Sequence, residues 1–324
     1  MIIMALEIDT VDKRILFELE RNARISDVKL AKIVKKSKDA VRYRIRRLEE
    51  ERIIQHWKTW IDLSKLGYTT PTIYLRLVNL PEKKQKLIDE IKKDPFVYWM
   101  GVAEGAWNIG VTYFVKSNQD LFERKNDLLA RYSDLIIDCH VTSLVSVSIH
   151  EKTFLVSGKS TLLTFTEQTE HLEIDTLSKN ILQELYFDSR KNIATIAGDL
   201  HTTVDMVRTR MKRLEEQKII IRYTVALDYQ KIGYEFYKAL IYLKSFDKEV
   251  IESIMRYAEQ SRVIINIVKQ IAPWDLEFVL FARNFKEYND SIGAFTTHFK
   301  HAVKKIDTAI MSEDIIFPCS KLPF

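Results

Sequence analysis

"SKDAVRYRIRRLEEERII" (residues 37–54) sets five arginines and a lysine around Val41, Ile45 and Leu48. That apolar spacing is the inner stripe of one amphipathic helix. Ser37 precedes it as an N-cap, because its hydroxyl can accept a backbone N–H of the first turn. With the stripe turned inward, Asp39, Tyr43 and Arg46 point away from the core. Arg42 and Arg47 flank that outer face, and Lys38 stands in the first turn. The surrounding stretch, residues 28–48, holds nine basic side chains and one acidic one, Asp39. Such a face suits either of two roles. It can be a solvated surface laced by i,i+4 pairs such as Arg46–Glu50 and Arg47–Glu51. It can also be a helix that reads nucleic acid, where Arg and Lys meet phosphates or guanine and Asp accepts from cytosine.

The pattern returns. Residues 6–68 and 172–234 align without a gap at a constant offset of 166, with 26 of 63 positions identical. Each copy opens with an Asp-capped amphipathic segment, "LEIDTVDKRILFEL" or "LEIDTLSKNILQEL". A second short helix follows, "SDVKLAKIVKK" or "NIATIAGDL". The third helix of the second copy is "TVDMVRTRMKRLEEQKII" (residues 203–220), capped by Thr203. There Asp205, Thr209 and Lys212 point outward, flanked by Arg208 and Arg213. After each third helix, "IIQHWKTWIDL" and "IIIRYTVALDY" read as paired strands. Three short helices with a strand pair make a winged helix-turn-helix. The second copy is the less basic, with 10 basic and 9 acidic groups against 16 and 11 in the first.

The bulk composition agrees with a folded chain. It has 324 residues, 46% hydrophobic and 29% charged, with a net charge of +5. The excess positive charge lies in residues 1–160, which carry 28 Lys and Arg against 22 Asp and Glu. Cys139 and Cys319 fit no zinc or redox spacing, and a reducing cytoplasm is the expected compartment. "MIIMALEID" lacks the basic start and apolar core of a signal peptide. No run approaches the roughly 20 apolar residues of a membrane span.

Beyond Tyr68 strands alternate with helices. "TIYLRLVNL", "PEKKQKLIDEIKKD", "PFVYWMGVAEGAWNIGVTYFV", "SNQDLFERKNDLLARYS" and "LIIDCHVTSLVSVSI" give β-α-β-β-α-β, the ferredoxin-like order. The second half repeats it. The expected fold class is therefore α+β, with two winged helix-turn-helix domains (1–68 and 172–234) and two ferredoxin-like domains (69–151 and 235–324). The Ser- and Thr-rich segment 152–171 is expected to be a partly ordered connector.

These residues resemble the Lrp/AsnC family of feast/famine transcription regulators. In the first copy Asp9, Asp12, Ile15, Leu16, Arg24, Ala31, Ser37, Val41, Arg44, Leu48 and Ile53–Ile54 carry the likeness. In the second, Asp175, Ile181, Leu182, Ala197, Thr203, Val207, Arg210, Leu214 and Ile219–Ile220 do so, with Ser178 in place of the acid at Asp12. A tandem form resembles archaeal members. The resemblance implies a cytoplasmic, nucleoid-associated regulator that binds double-stranded DNA as a covalent pseudo-dimer, its two halves pairing within the chain. It leaves room for further dimerisation. It also implies a small-molecule effector such as an amino acid, held between the second and third strands of each ferredoxin-like domain. The positions there are Glu104, Gly105, Trp107 and Asn108 in one half, and Trp274 and Asp275 in the other. Packing of the two tryptophans near a hairpin is the structural alternative.

A related group of the same build, the siroheme decarboxylases, needs His and Arg near those strands. "YWMGVAEGAWNIGVTY" and "NIVKQIAPWDLEFVLF" supply neither. His298 and His301 lack companion ligands for a metal, and Cys139–His140 face opposite sides of a strand. The expectation is thus of no enzyme, no cofactor and no metal. A nucleoid-organising protein that binds DNA without a ligand is the other alternative. The mixed outer face of residues 38–47 favours sequence reading over bare charge.

Overall fold

A computed structural model of the chain describes residues 8–152, 154–156, 162–167, 170–316 and 322–324. Residues 1–7, part of the 152–171 connector and Cys319 lie outside them. Asp9 opens α1 (Thr10–Arg21) with a capping box, accepting from the Asp12 backbone while Asp12 reaches back to the Asp9 N–H. Ser26 caps α2 (Asp27–Val34) and Ser37 caps α3 (Lys38–Glu50). Ile15, Leu16, Leu19, Leu30, Val41 and Leu48 fill the space between these helices.

There follow β1 (Ile54–Ile61), β2 (Thr72–Leu77), α4 (Pro81–Ile91), β3 (Val97–Gly105), β4 (Ile109–Tyr113), α5 (Asn118–Arg131), β5 (Ile136–His150) and β6 (Leu162–Thr166). The order then recurs as α6 (Thr176–Tyr186), α7 (Ile193–Asp199), α8 (Val204–Glu216), β7 (Ile220–Leu227), β8 (Glu235–Leu243), α9 (Lys248–Gln260), β9 (Ile264–Ile271), β10 (Leu276–Ala282), α10 (Phe285–His298) and β11 (Val303–Ile316). The class is mixed α and β.

Two features differ from the sequence expectation. First, the strands after the third helices do not form a wing within each half. Each half supplies one, and β1 runs antiparallel to β7. A lone strand would leave its amides unpaired; the partner that satisfies them comes from the other half. Second, the two open sheets close on each other. Within each half the order is β5-β2-β4-β3 and β11-β8-β10-β9. Then β11 pairs with β3 and β5 with β9, which closes an eight-stranded barrel with β6 added along β5. Closure removes the exposed edges that open sheets would present.

Alternation along the strands separates two environments. Ile73, Leu75 and Leu77 of β2 face outward and are covered by α4 and α5; Tyr237, Ala239 and Ile241 of β8 are covered by α9 and α10. Tyr74, Leu240, Trp107 and Trp274 belong instead to a core continuous with that of α1–α3.

The first three-helix unit rests on a buried carboxylate. Asp12 is 1% exposed and receives Arg44 at 2.8 Å and Arg47 at 2.5 Å. At the corresponding place in the second unit stands Ser178, and among the described residues Arg210 pairs only with Asp175, at 2.8 Å. Removing one partner of a buried pair leaves the other charge uncompensated. Asp12→Ala is therefore expected to lower stability by about 3 kcal/mol, read as a reduced urea midpoint. An unchanged midpoint would refute this role.

Candidate functional site

Two places gather candidate functional side chains: the outer faces of α3 and α8, and the space enclosed between the β1–β7 ribbon and the barrel. On α3, the Ser37 hydroxyl accepts the Ala40 N–H at 3.1 Å, so Ser37 is occupied as a cap; Thr203 does the same for Met206 on α8 at 3.2 Å. Lys38, Asp39, Arg42, Tyr43 and Arg46 all lie exposed on one face, with Tyr43 67% exposed. Arg46 has no hydrogen-bonded or ionic partner among the described residues. Arg42 binds Asp27 at 2.7 Å, and Asp27 also receives Arg190 of the other half at 3.1 Å. Burial works against the charged Asp27, but these two guanidinium groups outweigh it and hold its carboxyl below the ordinary range.

Arg47 departs from the expected face. It turns toward α1, onto Asp12, and is half-buried. Its counterpart Arg213 finds serine at the matching place and stays exposed. Asp205, Thr209 and Lys212 are exposed on α8 as expected, with Arg208 folded onto Asp205 at 2.5 Å and Lys212 near Glu216 at 3.6 Å.

The two units are interlocked through contacts that repeat at the offset of 166. The Ala23 N–H donates to the Tyr223 carbonyl at 2.9 Å, and the Ser189 N–H to the Trp57 carbonyl at 3.4 Å. Arg24 lies over Tyr223 at 5.3 Å and Arg190 over Trp57 at 4.8 Å. Trp57 donates to Glu49 at 2.8 Å and Tyr223 to Glu215 at 2.6 Å, which ties each third helix to its own ribbon strand.

The expected effector loops do not come together as a site. Trp107 and Trp274 are both buried against the Tyr74 ring, with ring centroids at 5.0 and 5.2 Å. The Asn108 and Asp275 side chains accept the Leu77 and Leu243 N–H groups at 2.9 and 2.7 Å. Glu104 pairs with Lys84 at 2.8 Å on the surface. Gly105 sits at φ +113°, and a Cβ there would fall 2.3 Å from the Thr308 carbonyl oxygen. These residues finish strands and fill the core, which is the structural alternative.

The sequence reading missed the cavity, of about 610 Å³. Its roof is one face of the ribbon, where alternation places His56, Lys58 and Trp60 of β1 beside Arg222 and Thr224 of β7. Its floor is the barrel interior, with Tyr74, Trp99, Lys238 and Glu277. His150 and Lys152 close one side. Lys238 and Glu277 form a buried pair at 2.7 Å; Tyr74 and Gln270 also donate to Glu277 at 3.1 and 3.2 Å. Burial pushes the Lys58 ammonium down to about 8, with Lys152 adding to the effect and Asp314 and Glu20 opposing it. Burial, helped by the Lys58 charge, pushes His56 down to about 4. The signal was present in "QHWKTW": on a strand that follows a DNA-reader-like helix, His56, Lys58 and Trp60 share one face while Trp57 and Thr59 share the other, so both faces mix polar and aromatic side chains. Among the described residues no group of His, Cys, Asp and Glu could hold a metal ion, and no helix is long and apolar enough to cross a membrane.

Comparison with known proteins bears on both places. Residues 8–49 match the AsnC-type helix-turn-helix domain. An uncharacterised HTH-type transcriptional regulator of Pyrococcus horikoshii is 31% identical over 118 residues, covering 36% of this chain and 78% of that protein. The HTH-type transcriptional regulator LrpA of Pyrococcus abyssi is 34% identical over 114 residues, covering 35% of this chain and 80% of its own. Over the whole chain, the siroheme decarboxylase NirDL, solved with an iron-uroporphyrin III analogue, superposes with a TM-score of 0.64, covering 98% of this chain and 94% of that one at 14% identity. That likeness is one of fold. It nonetheless overturns the expectation of no enzyme, since the solved fold that matches nearly the full length is an enzyme's. The expectation rested on the absence of His and Arg between the second and third strands. The fold brings His56, His150 and Arg222 to the cavity from other strands.

Lys58 makes no ion pair or hydrogen bond among the described residues, so its charge is a liability to the fold. Its folded pKa lies below the unfolded one, so the unfolded chain binds more protons between pH 8 and 10.5, and stability rises with pH across that window. Lys58→Met should raise stability by about 3 kcal/mol at pH 7, and the gain should shrink as pH rises from about 8 toward 10.5. Thermal melts of both chains at pH 7 and pH 10 check this; a gain that does not change with pH would contradict it.

Proposed function

The chain belongs to the Lrp/AsnC family of helix-turn-helix transcription regulators, and from that premise we propose that it is a sequence-specific double-stranded DNA-binding regulator built as a covalent pseudo-dimer. In this reading residues 1–68 and 172–234 are the two DNA-reading domains, 69–151 and 235–324 the two barrel halves, and 152–171 the connector. The observation that carries it is the exposed face of α3: Lys38, Asp39, Arg42, Tyr43 and Arg46 stand together on a helix whose other face is fully packed. Early turns of such a helix reach base edges, while Arg and Lys at its flanks meet phosphates. On α8 the matching set is Asp205, Arg208, Thr209, Lys212 and Arg213. Because the two faces differ, the DNA site is asymmetric, with half-sites roughly 10 base pairs apart or a multiple of that.

A second reading follows from the whole-chain likeness to a siroheme decarboxylase together with the cavity. In it, the enclosed space receives a carboxylated substrate and the chain transforms it. The ribbon and barrel residues, not the outer helix faces, would then carry the activity.

Fluorescence anisotropy on DNA selected from a random pool, and on a scrambled control, separates the two. The regulator reading expects tighter binding to the selected DNA and a log K that falls linearly with log salt. Arg46→Ala should weaken binding about ten-fold and reduce the salt slope by about 1 while leaving the urea midpoint in place. Arg42→Ala should cost more affinity than Arg208→Ala, because the first copy carries the greater basic charge. Equal binding to both DNAs points to a nucleoid-organising protein. Binding to neither removes the regulator reading and leaves the second.

A further inference from the structure

The carboxylates that line the cavity already have partners. Glu20 pairs with Lys152 and accepts from Tyr229 at 2.5 Å, Glu277 holds Lys238 at 2.7 Å, Glu151 holds Arg21 at 2.7 Å, and Asp314 accepts the Trp99 indole N–H at 2.6 Å. The cations are not so matched. Lys58 is 7% exposed, lines the cavity, and has no carboxylate within ion-pairing distance among the described residues. Arg222, on the same face of the ribbon, makes no ion pair there either. Two buried imidazole nitrogens, Nε2 of His56 and Nε2 of His150, also lack hydrogen-bond partners among the described residues. The cavity therefore holds unmatched positive charge and unmatched polar nitrogens, set among Trp60, Trp99 and Phe281.

A buried ammonium without a counter-charge costs several kcal/mol, so its retention calls for a partner. The volume of about 610 Å³ lies within the range of small-molecule sites. We propose that this cavity binds an organic carboxylate with an apolar body, its charge met by Lys58 and its body lying against the Trp60 and Trp99 rings. The proposal rests on the cavity alone. It holds whether the bound molecule regulates DNA binding or is transformed, and it places the ligand away from the 104–108 and 272–275 loops.

The groups facing Lys58 are His56 beside it on β1, Arg222 on β7, Glu20 on α1, Tyr229 after β7, Lys152 after β5 and Asp314 on β11. Lys58 itself titrates near pH 8 in the folded chain. A bound carboxylate stabilises the ammonium, so affinity is full below pH 8 and declines above it.

The test uses 1-pyrenebutyrate, with 1-pyrenebutanol as the neutral control of the same ring and chain, titrated into the full-length chain by fluorescence. The expected result is saturable 1-pyrenebutyrate binding, at least ten-fold tighter than 1-pyrenebutanol at pH 7. That advantage should shrink between pH 8 and 10 and be lost in Lys58→Met. The melting temperature of the variant, at or above that of the parent chain, establishes that it folds. Equal affinity for the two probes, unchanged affinity in Lys58→Met, or no saturable binding of 1-pyrenebutyrate would overturn the proposal. None of these outcomes depends on DNA binding.

Discussion

The antiparallel pairing of β1 with β7 is the constraint on which the rest depends. Each strand begins a few residues after a third helix, so the ribbon fixes where α3 and α8 stand. Its two faces do different jobs. Trp57, Thr59, Tyr223 and Val225 turn toward the helices, where Thr59 donates to the Leu185 carbonyl at 2.5 Å. His56, Lys58, Trp60 and Arg222 turn toward the barrel. A slip of one residue would exchange these sets, driving Lys58 into the helical core and the Thr59 side chain into the cavity. The barrel below depends on the same pairing logic, since each half meets the other along two edges. A chain of this kind cannot fold one half to completion and then the other: the amides of β1, β3, β5 and their partners are satisfied only jointly.

Much of this was legible in the sequence, and the reasons are local. Asp9, Ser37, Asp175 and Thr203 mark helix starts by chemistry that acts within three residues. Apolar spacing identified the buried faces of α1, α3, α6 and α8. The β-α-β-β-α-β order followed from alternating periods. The illegible parts concern pairing between distant segments. Nothing in "QHWKTW" (55–60) states that its partner is "RYTVAL" (222–227). Arg47 was misassigned because its helical angle is compatible with solvent; the buried acid that captures it, Asp12, comes from another helix. Trp107 and Trp274 sit in loops whose pattern resembles a ligand site, yet both rings meet at Tyr74, which only the closed barrel brings against both.

The cavity shows the same limit in a sharper form. The second and third strands of each ferredoxin-like domain carry no His or Arg, and taken alone they point away from catalysis. The enclosed space is instead assembled from β1, β7, β8 and the end of β5. Burial there, not sequence, depresses the basicity of Lys58 and His56. The same residues on an exposed strand would be ordinary.

Fusion of the two halves also bears on which charges the interior can hold. At the offset of 166, Lys58 corresponds to Thr224 and Lys238 to Thr72, both threonines being buried. Glu277 corresponds, one residue further along the repeat, to Gly110, where a Cβ would lie 2.8 Å from the Trp99 ring. In a dimer of identical chains each of these charges would occur twice in one enclosed space. Two Lys58 side chains on one face of a two-stranded ribbon would repel each other at low dielectric, and a second Glu277 would collide with the ring that now lies over Lys238 at 4.2 Å. A single chain escapes that symmetry. On the pseudo-dimer reading, one half supplies Lys58, Trp60 and Trp99 while the other supplies the Lys238–Glu277 pair, Arg222 and Phe281. The cavity is then polarised in a way that a homodimer could not sustain, and the outer faces of α3 and α8 are free to differ for the same reason.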